Sequence, residues 1–244
     1  MEIRFVGSGD AFGSGGRLQT CIRLQADEYT ALIDCGATSV TAMKAQHVDP
    51  GEVDVVVVSH LHGDHFGGLP FLVLDGQFTG RAKTLTVLGP AGTADRLHAA
   101  MEVLYPGSTS VQRRFDLQVV ELDGVGGACS TGPLTVTSWE VEHASGAPAL
   151  AVQARLGQAR FAYSGDTAWT GALIEAARGS DVFACEAYTY DTPVRYHLDY
   201  ATLREHVNDL ATRRLVLTHM GPAMLDRLDE LEHDTAFDGL VLNT

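Results

Sequence analysis

The chain has 244 residues, of which 45% are hydrophobic and 20% charged, and a formal net charge of −14. That length suits one folded domain over residues 1–244 with a sizeable core. Seventeen basic residues stand against 31 acidic ones, with no basic cluster beyond Arg113-Arg114 and Arg213-Arg214, so a long nucleic acid is disfavoured as a partner.

No apolar run approaches the roughly 20 residues a membrane helix needs. Met1-Glu2-Ile3-Arg4-Phe5 lacks the basic start and apolar stretch of a signal peptide, so the expectation is a cytoplasmic protein with no membrane partner. Cys21, Cys35, Cys129 and Cys185 form no CxxC pair, which argues against a zinc knuckle; Cys35 and Cys185 read as buried thiols.

In chain order, Glu2 to Val6 reads as a strand, followed by the turn-rich stretch from Gly7 to Gly16. These glycines are no dinucleotide fingerprint, because a second strand, Thr20 to Leu24, follows instead of a helix. Tyr29 to Asp34 is a third strand, ending in Asp34-Cys35-Gly36, and a helix follows from about Ala37 to Gln46. Asp34 either supports a metal ligand or caps that helix.

The run Val53-Asp54-Val55-Val56-Val57-Val58-Ser59 reads as a strand buried on both faces. Directly after it comes His60-Leu61-His62-Gly63-Asp64-His65, in the loop leaving the strand's carboxyl end. Three imidazoles and a carboxylate so close together suit zinc and its neighbours, and no ordinary core calls for them.

An apolar segment, read as a helix to about Leu74, comes next, then a strand at Leu85 to Leu88 and a helix around Thr93 to Leu104. Strands follow at Leu117 to Leu122, Leu134 to Val141, Leu150 to Leu156 and Arg160 to Tyr163, with Gly124-Val125-Gly126-Gly127 as a turn between the first two. The remainder reads as a helix near Gly171 to Arg178, a strand Asp181 to Cys185, a helix Tyr200 to Ala211, a strand Arg214 to Thr218, a helix around Ala223 to Glu232 and a strand Gly239 to Leu242. His47, His98, His206 and His233 read as packing or surface residues.

The six-residue motif resembles the HxHxDH signature of the metallo-β-lactamase superfamily, and His143, Asp166 in Ser164-Gly165-Asp166, and His219 match its later ligands. The resemblance covers most of the chain and implies an α/β fold, a four-layer αββα sandwich. It also implies two divalent ions: His60, His62 and His143 would hold one, Asp64, His65 and His219 the other, and Asp166 would bridge them. Zinc is the first choice, with manganese and iron as alternatives. Zinc lowers the pKa of a bound water to about 7, so a bridging hydroxide can act as nucleophile. His62 stands where the diiron oxygen-reducing branch often carries Glu, which favours hydrolysis.

Cys185-Glu186-Ala187 and Tyr196-His197-Leu198-Asp199 resemble the Glu-Ala and His-x-(Ser/Thr) region of ribonuclease Z-like phosphodiesterases. That likeness makes His197 a general acid and Glu186 its orienting partner, and with Asp64 they form the catalytic set. Asp199 departs from the pattern and reads as a helix cap. Ribonuclease Z enzymes that process tRNA precursors carry a protruding arm between the third histidine and the bridging aspartate. Here that interval is short and most of it reads as two strands, so a small anionic substrate, a small or cyclic phosphodiester, fits better. Alternatives are a lactone, ester or thioester hydrolase and a non-catalytic metal-binding partner protein. The family suggests a homodimer.

Overall fold

The computed structural model describes residues 1–244. The first half contains β1 (Glu2–Gly7), β2 (Cys21–Ala26), β3 (Tyr29–Ile33), α1 (Ser39–Ala45) and β4 (Val53–Val57). It continues with α2 (Gly63–Phe66), α3 (Leu69–Thr79), β5 (Leu85–Gly89), α4 (Thr93–Leu104) and β6 (Leu117–Glu121). The second half contains β7 (Val125–Thr131), β8 (Leu134–Val141), β9 (Ala149–Leu156), β10 (Ala159–Tyr163), α5 (Ala172–Ala177) and β11 (Val182–Glu186). It ends with α6 (Tyr200–His206), β12 (Leu215–Thr218), α7 (Pro222–Leu225), β13 (Asp234–Thr235) and β14 (Val241–Asn243).

The strands form two seven-stranded sheets, ordered β14-β1-β2-β3-β4-β5-β6 and β13-β12-β11-β10-β9-β8-β7. In the first, β3 to β6 run parallel and the earlier pairs antiparallel. The second repeats the arrangement, with β10 to β13 parallel and β7 to β10 joined antiparallel.

One core lies between the sheets, where Ile3, Phe5, Ile33 and Val57 meet Leu134, Val152, Phe161 and Ala184. A second packs α1, α3 and α4 on the first sheet through Met43, Leu72 and Leu97. A third packs α5 and α6 on the other through Leu173, Ala176 and Leu203. The result is the expected four-layer αββα sandwich, and its layering explains the valine run: β4 has a core on each face.

Four expectations need correction. The stretch Gly124–Gly127 is not only a turn; it opens β7, which pairs with β8 with a register shift between Val125 and Ala128 and with Gly126 at φ 88°. An exposed edge strand that starts on a bulge carries no hydrophobic alternation to reveal it. The helix expected to reach about Leu74 runs to Thr79, and a short helix, α2, precedes it.

The helix expected to run to Ala211 ends at His206 and tightens into a 3-10 turn, Val207–Asp209, while the His206 ring stacks on Trp169 at 4.1 Å. The helix expected around Ala223 to Glu232 is only α7 and a 3-10 turn, Leu228–Glu230. Arg227 leaves helical backbone between them and lays its guanidinium over the Tyr190 ring at 3.4 Å.

Candidate metal centre

All seven candidate ligands and Glu186 lie at or just past the carboxyl end of a strand, and His197 lies in the loop between β11 and α6. His60, His62, Asp64 and His65 follow β4, His143 follows β8, Asp166 follows β10, Glu186 closes β11 and His219 follows β12. Two backbone bonds bring the halves into alignment there: Leu150 N–H donates to Ser59 O at 2.9 Å, and His219 N–H to Ser8 O at 3.1 Å.

Two glycines make room for the loops. A Cβ on Gly36 would fall 2.2 Å from the Asp64 carbonyl oxygen, so only glycine lets the Asp34-Cys35-Gly36 turn lie against α2. Gly165 holds φ 62° beside the Leu150 carbonyl and turns Asp166 into the site. Asp34, Tyr196 and His219 are themselves non-glycine residues at φ 60°, 67° and 54°, left-handed conformations that the surrounding hydrogen bonds enforce.

All seven expected ligands converge. His143 Nε2 lies 3.0 Å from His62 Nδ1, and these two with His60 form one cluster able to hold an ion. Asp64, His65, Asp166 and His219 form a second. His65 Nε2 lies 3.1 Å from Asp64 Oδ2, 3.2 Å from Asp166 Oδ1 and 3.3 Å from His219 Nε2. Asp166 stands between the clusters, its Oδ2 3.8 Å from His60 Nε2 and 3.5 Å from His219 Nε2.

Outer hydrogen bonds select the inward nitrogen. His65 Nδ1 pairs with Asp34 Oδ2 at 2.6 Å and His143 Nδ1 donates to Tyr196 O at 3.0 Å. His60 Nδ1 lies 3.1 Å from Ser59 Oγ, which itself donates to Asp34 Oδ2 at 2.8 Å. Each bond leaves Nε2 with a lone pair facing the cluster, the arrangement a metal ligand needs. His60 Nε2 and Asp166 Oδ1 are buried without a hydrogen-bond partner, a cost that a bound cation removes. The donor set of imidazoles and carboxylates therefore fits divalent zinc, manganese or iron.

Of the two readings of Asp34, support of the ligands is the observed one. Besides His65 it accepts from Ser59 N at 2.7 Å, whereas α1 has no side-chain cap.

The electrostatics reflect a cavity built for positive charge. Burial alone would lower the pKa of His65, yet Asp166, Asp64 and Asp34 raise it well above the usual imidazole value. His219 follows the same pattern, burial being overcome by Asp166, Asp64 and Glu186, which push it up to about 10. Burial works in the opposite sense on Asp166, but His219 and His65 hold its carboxyl well below the ordinary range. At His60 burial prevails and keeps the ring neutral.

Beside the clusters, His197 Nδ1 is hydrogen-bonded to Glu186 Oε1. Glu186 is wholly buried; its Oε2 accepts from Thr167 N at 2.8 Å, and its Oε1 lies 3.5 Å from His219 Nδ1. Burial lowers the His197 pKa, but the Glu186 hydrogen bond and charge outweigh it and raise it. Asp199 caps α6, accepting from Thr202 N at 2.8 Å.

The sequence reading singled out neither Tyr188 nor Phe12, although both line the cavity with His62, Asp64, Asp166, His197 and His219. Nor did it find Tyr196 and Ser59, which act through a carbonyl and a hydroxyl; a polar residue closing a valine run was the only signal for Ser59. His98 and His47 lie exposed outside the centre, and His233 bonds the Tyr200 hydroxyl at 3.0 Å.

With that geometry in place, comparison with known proteins decides the family. The family described as Anti-Pycsar protein Apyc1 matches residues 1–241. The chain belongs to this family. Ribonuclease Z of Bacillus cereus strain G9842 is 32% identical over 146 residues, 59% of this chain and 46% of that protein. The chain spans less than half the length of the curated relatives it matches. Among solved structures, the short form of human tRNase Z superposes with a TM-score of 0.81 at 20% identity, over 100% of this chain and 99% of the other. The metallo-β-lactamase fold protein YhfI from Bacillus subtilis gives 0.78 at 17% identity, over 99% of each chain. This Apyc1-family chain thus has the metallo-β-lactamase fold and is similar in sequence to ribonuclease Z. No helix in it is long and apolar enough to cross a membrane.

Proposed function

We propose that the chain is a single hydrolase domain over residues 1–244 that cleaves a small or cyclic phosphodiester with two divalent ions. His60, His62 and His143 would hold one ion and Asp64, His65 and His219 the other, with Asp166 shared, and zinc is the first choice. Such ions, when bound, supply hydroxide at neutral pH and neutralise the phosphoryl oxygens.

The observation that carries the reading is the Glu186–His197 pair at the edge of the clusters. A lactone needs a proton donor to its alkoxide but no cation against a phosphate, and a thioester needs neither. A phosphodiester needs both. Glu186 raises the His197 pKa, which favours the protonated ring, and fixes its Nδ1, so Nε2–H can serve a phosphate oxygen and then the departing alcohol. Asp166 and Asp64 hold His219 and His65 in place, and Tyr196 O fixes the His143 ring.

The size of the substrate follows from what surrounds this pair. The interval from His143 to Asp166 is taken up by β9, β10 and their tight connections, which leaves no arm to grip a folded nucleic acid. The net charge of −14 likewise favours a small anion drawn in by the ions over a long polyanion. A homodimer belongs to the same reading; sedimentation of the zinc-replete protein tests it, and a monomer at micromolar concentration speaks against it.

The deciding experiment is turnover of bis(p-nitrophenyl) phosphate beside a lactone and a thioester by the zinc-replete protein, with Asp166→Ala as control. Phosphodiester cleavage that disappears in Asp166→Ala is the expected result. Lactone or thioester cleavage alone overturns it, and no turnover of any ester would make the chain a metal-binding partner protein.

A further inference from the structure

The loop between β1 and β2 holds a hydrophobic side chain where folding gains nothing from it. Phe12 is 85% exposed, yet it lines the cavity of the metal centre together with His62, Tyr188 and His197. Its position is fixed by its neighbours. Asp10, itself buried, accepts from Phe12 N at 3.2 Å, from Ser14 N at 2.9 Å and from Ser14 Oγ at 2.6 Å. Asp238 clamps both feet of the loop, accepting from Ser8 N at 2.9 Å, Ser8 Oγ at 2.8 Å and Leu18 N at 2.7 Å. Gln19 Nε2 donates to Ala11 O at 3.1 Å. The backbone is held by side chains from both halves while the ring stands in solvent at the rim.

The cavity itself is small, about 200 Å³, below the roughly 300–1,000 Å³ that usually encloses a ligand. It has room for a phosphodiester and the atoms next to it, so the rest of a substrate must leave past the rim. An exposed aromatic face at that point favours a planar π-system, which stacks on it irrespective of hydrogen-bonding pattern.

We propose that Phe12 is the stacking platform for a planar aromatic group carried by the substrate's phosphate ester, a nucleobase or an aryl ring. The phosphate part of this inference rests on the phosphodiester reading; the ring part rests on Phe12 alone. Phe12 thereby acts as a specificity residue, selecting aromatic esters over alkyl esters that present the same phosphate to the metal centre.

Binding without turnover tests it. Titration calorimetry on the zinc-replete full chain compares adenosine 5′-monophosphate and phenyl phosphate with ribose 5-phosphate and methyl phosphate. The aromatic ligands should bind about fivefold or more tightly than their ring-free counterparts, and Phe12→Ala should erase that advantage while leaving the ring-free ligands unchanged. Phe12→Trp should restore it, with indole fluorescence quenched by the aromatic ligands only. An advantage for adenosine monophosphate without one for phenyl phosphate narrows the group to a nucleobase and supports the proposal.

Equal binding of all four ligands by the unaltered protein overturns it. So does an equal loss for all four in Phe12→Ala accompanied by a change in sedimentation, which would place Phe12 in a contact between copies. Because no catalysis is read, failure of the phosphodiesterase reading leaves this result legible. Ring-selective binding would then stand without phosphodiester turnover.

Discussion

Asp34 Oδ2 lies 2.6 Å from His65 Nδ1, and both side chains are wholly buried. The bond joins the end of β3 to the first turn of α2 and commits His65 Nε2 to the metal cluster. Asp34 also accepts twice from Ser59, whose hydroxyl sits at His60 Nδ1, so one carboxylate orients a histidine of each cluster. Asp34→Ala should therefore weaken zinc binding by about 10- to 100-fold, read by chelator competition. Zinc affinity equal to that of the unaltered protein would make Asp34 a purely structural residue.

Loss of the proposed proton donor should depend on the leaving group. His197→Ala should lower kcat for an alkyl phosphodiester by about 10²- to 10⁴-fold. The p-nitrophenolate of bis(p-nitrophenyl) phosphate departs without a proton, so the same variant should lose far less with it. Equal losses on the two substrates would make His197 a phosphate-binding group and not an acid.

The Glu186–His197 pair makes a signed prediction about pH. Glu186 raises the His197 pKa, and the acid works only while protonated, so activity should fall as pH climbs through that raised value. Glu186→Gln removes the charge, lowers the His197 pKa and should move the alkaline limb of kcat toward acid. A limb that stays put would assign it to another group.

Metal removal should cost stability as well as activity. Asp64, Asp166 and Glu186 are buried within one centre, where a cation offsets their mutual repulsion. Free zinc at about 100 times its dissociation constant stabilises the folded state by about 2.7 kcal/mol. A chelator should accordingly lower Tm by several degrees, and zinc should restore it. An unchanged Tm would mean that the clusters are neutralised by protonated His65 and His219 alone.

The chain's own sequence made the architecture and the candidate ligands legible. Hydrophobic patterning is local, so the valine run of β4 and the alternation in β8 were legible, as were the helix Thr93–Leu104 and the histidines that end these strands. Short, exposed or irregular elements were not: β7 starts on a bulge, and α7 stops because Arg227 turns to Tyr190, a contact with no local signal.

Only the tertiary structure decided which nitrogen of His60, His65 and His143 faces the clusters, because the selecting partners, Asp34, Ser59 and Tyr196, come in part from distant stretches. It also decided between the two readings of Asp34 and brought Glu186 to His197. Phe12 stands at the rim for the same reason: the Asp238 clamp crosses the whole length of the chain. Patterning sets which residues are buried, but the direction of a lone pair or a ring is set by whatever the fold packs against it.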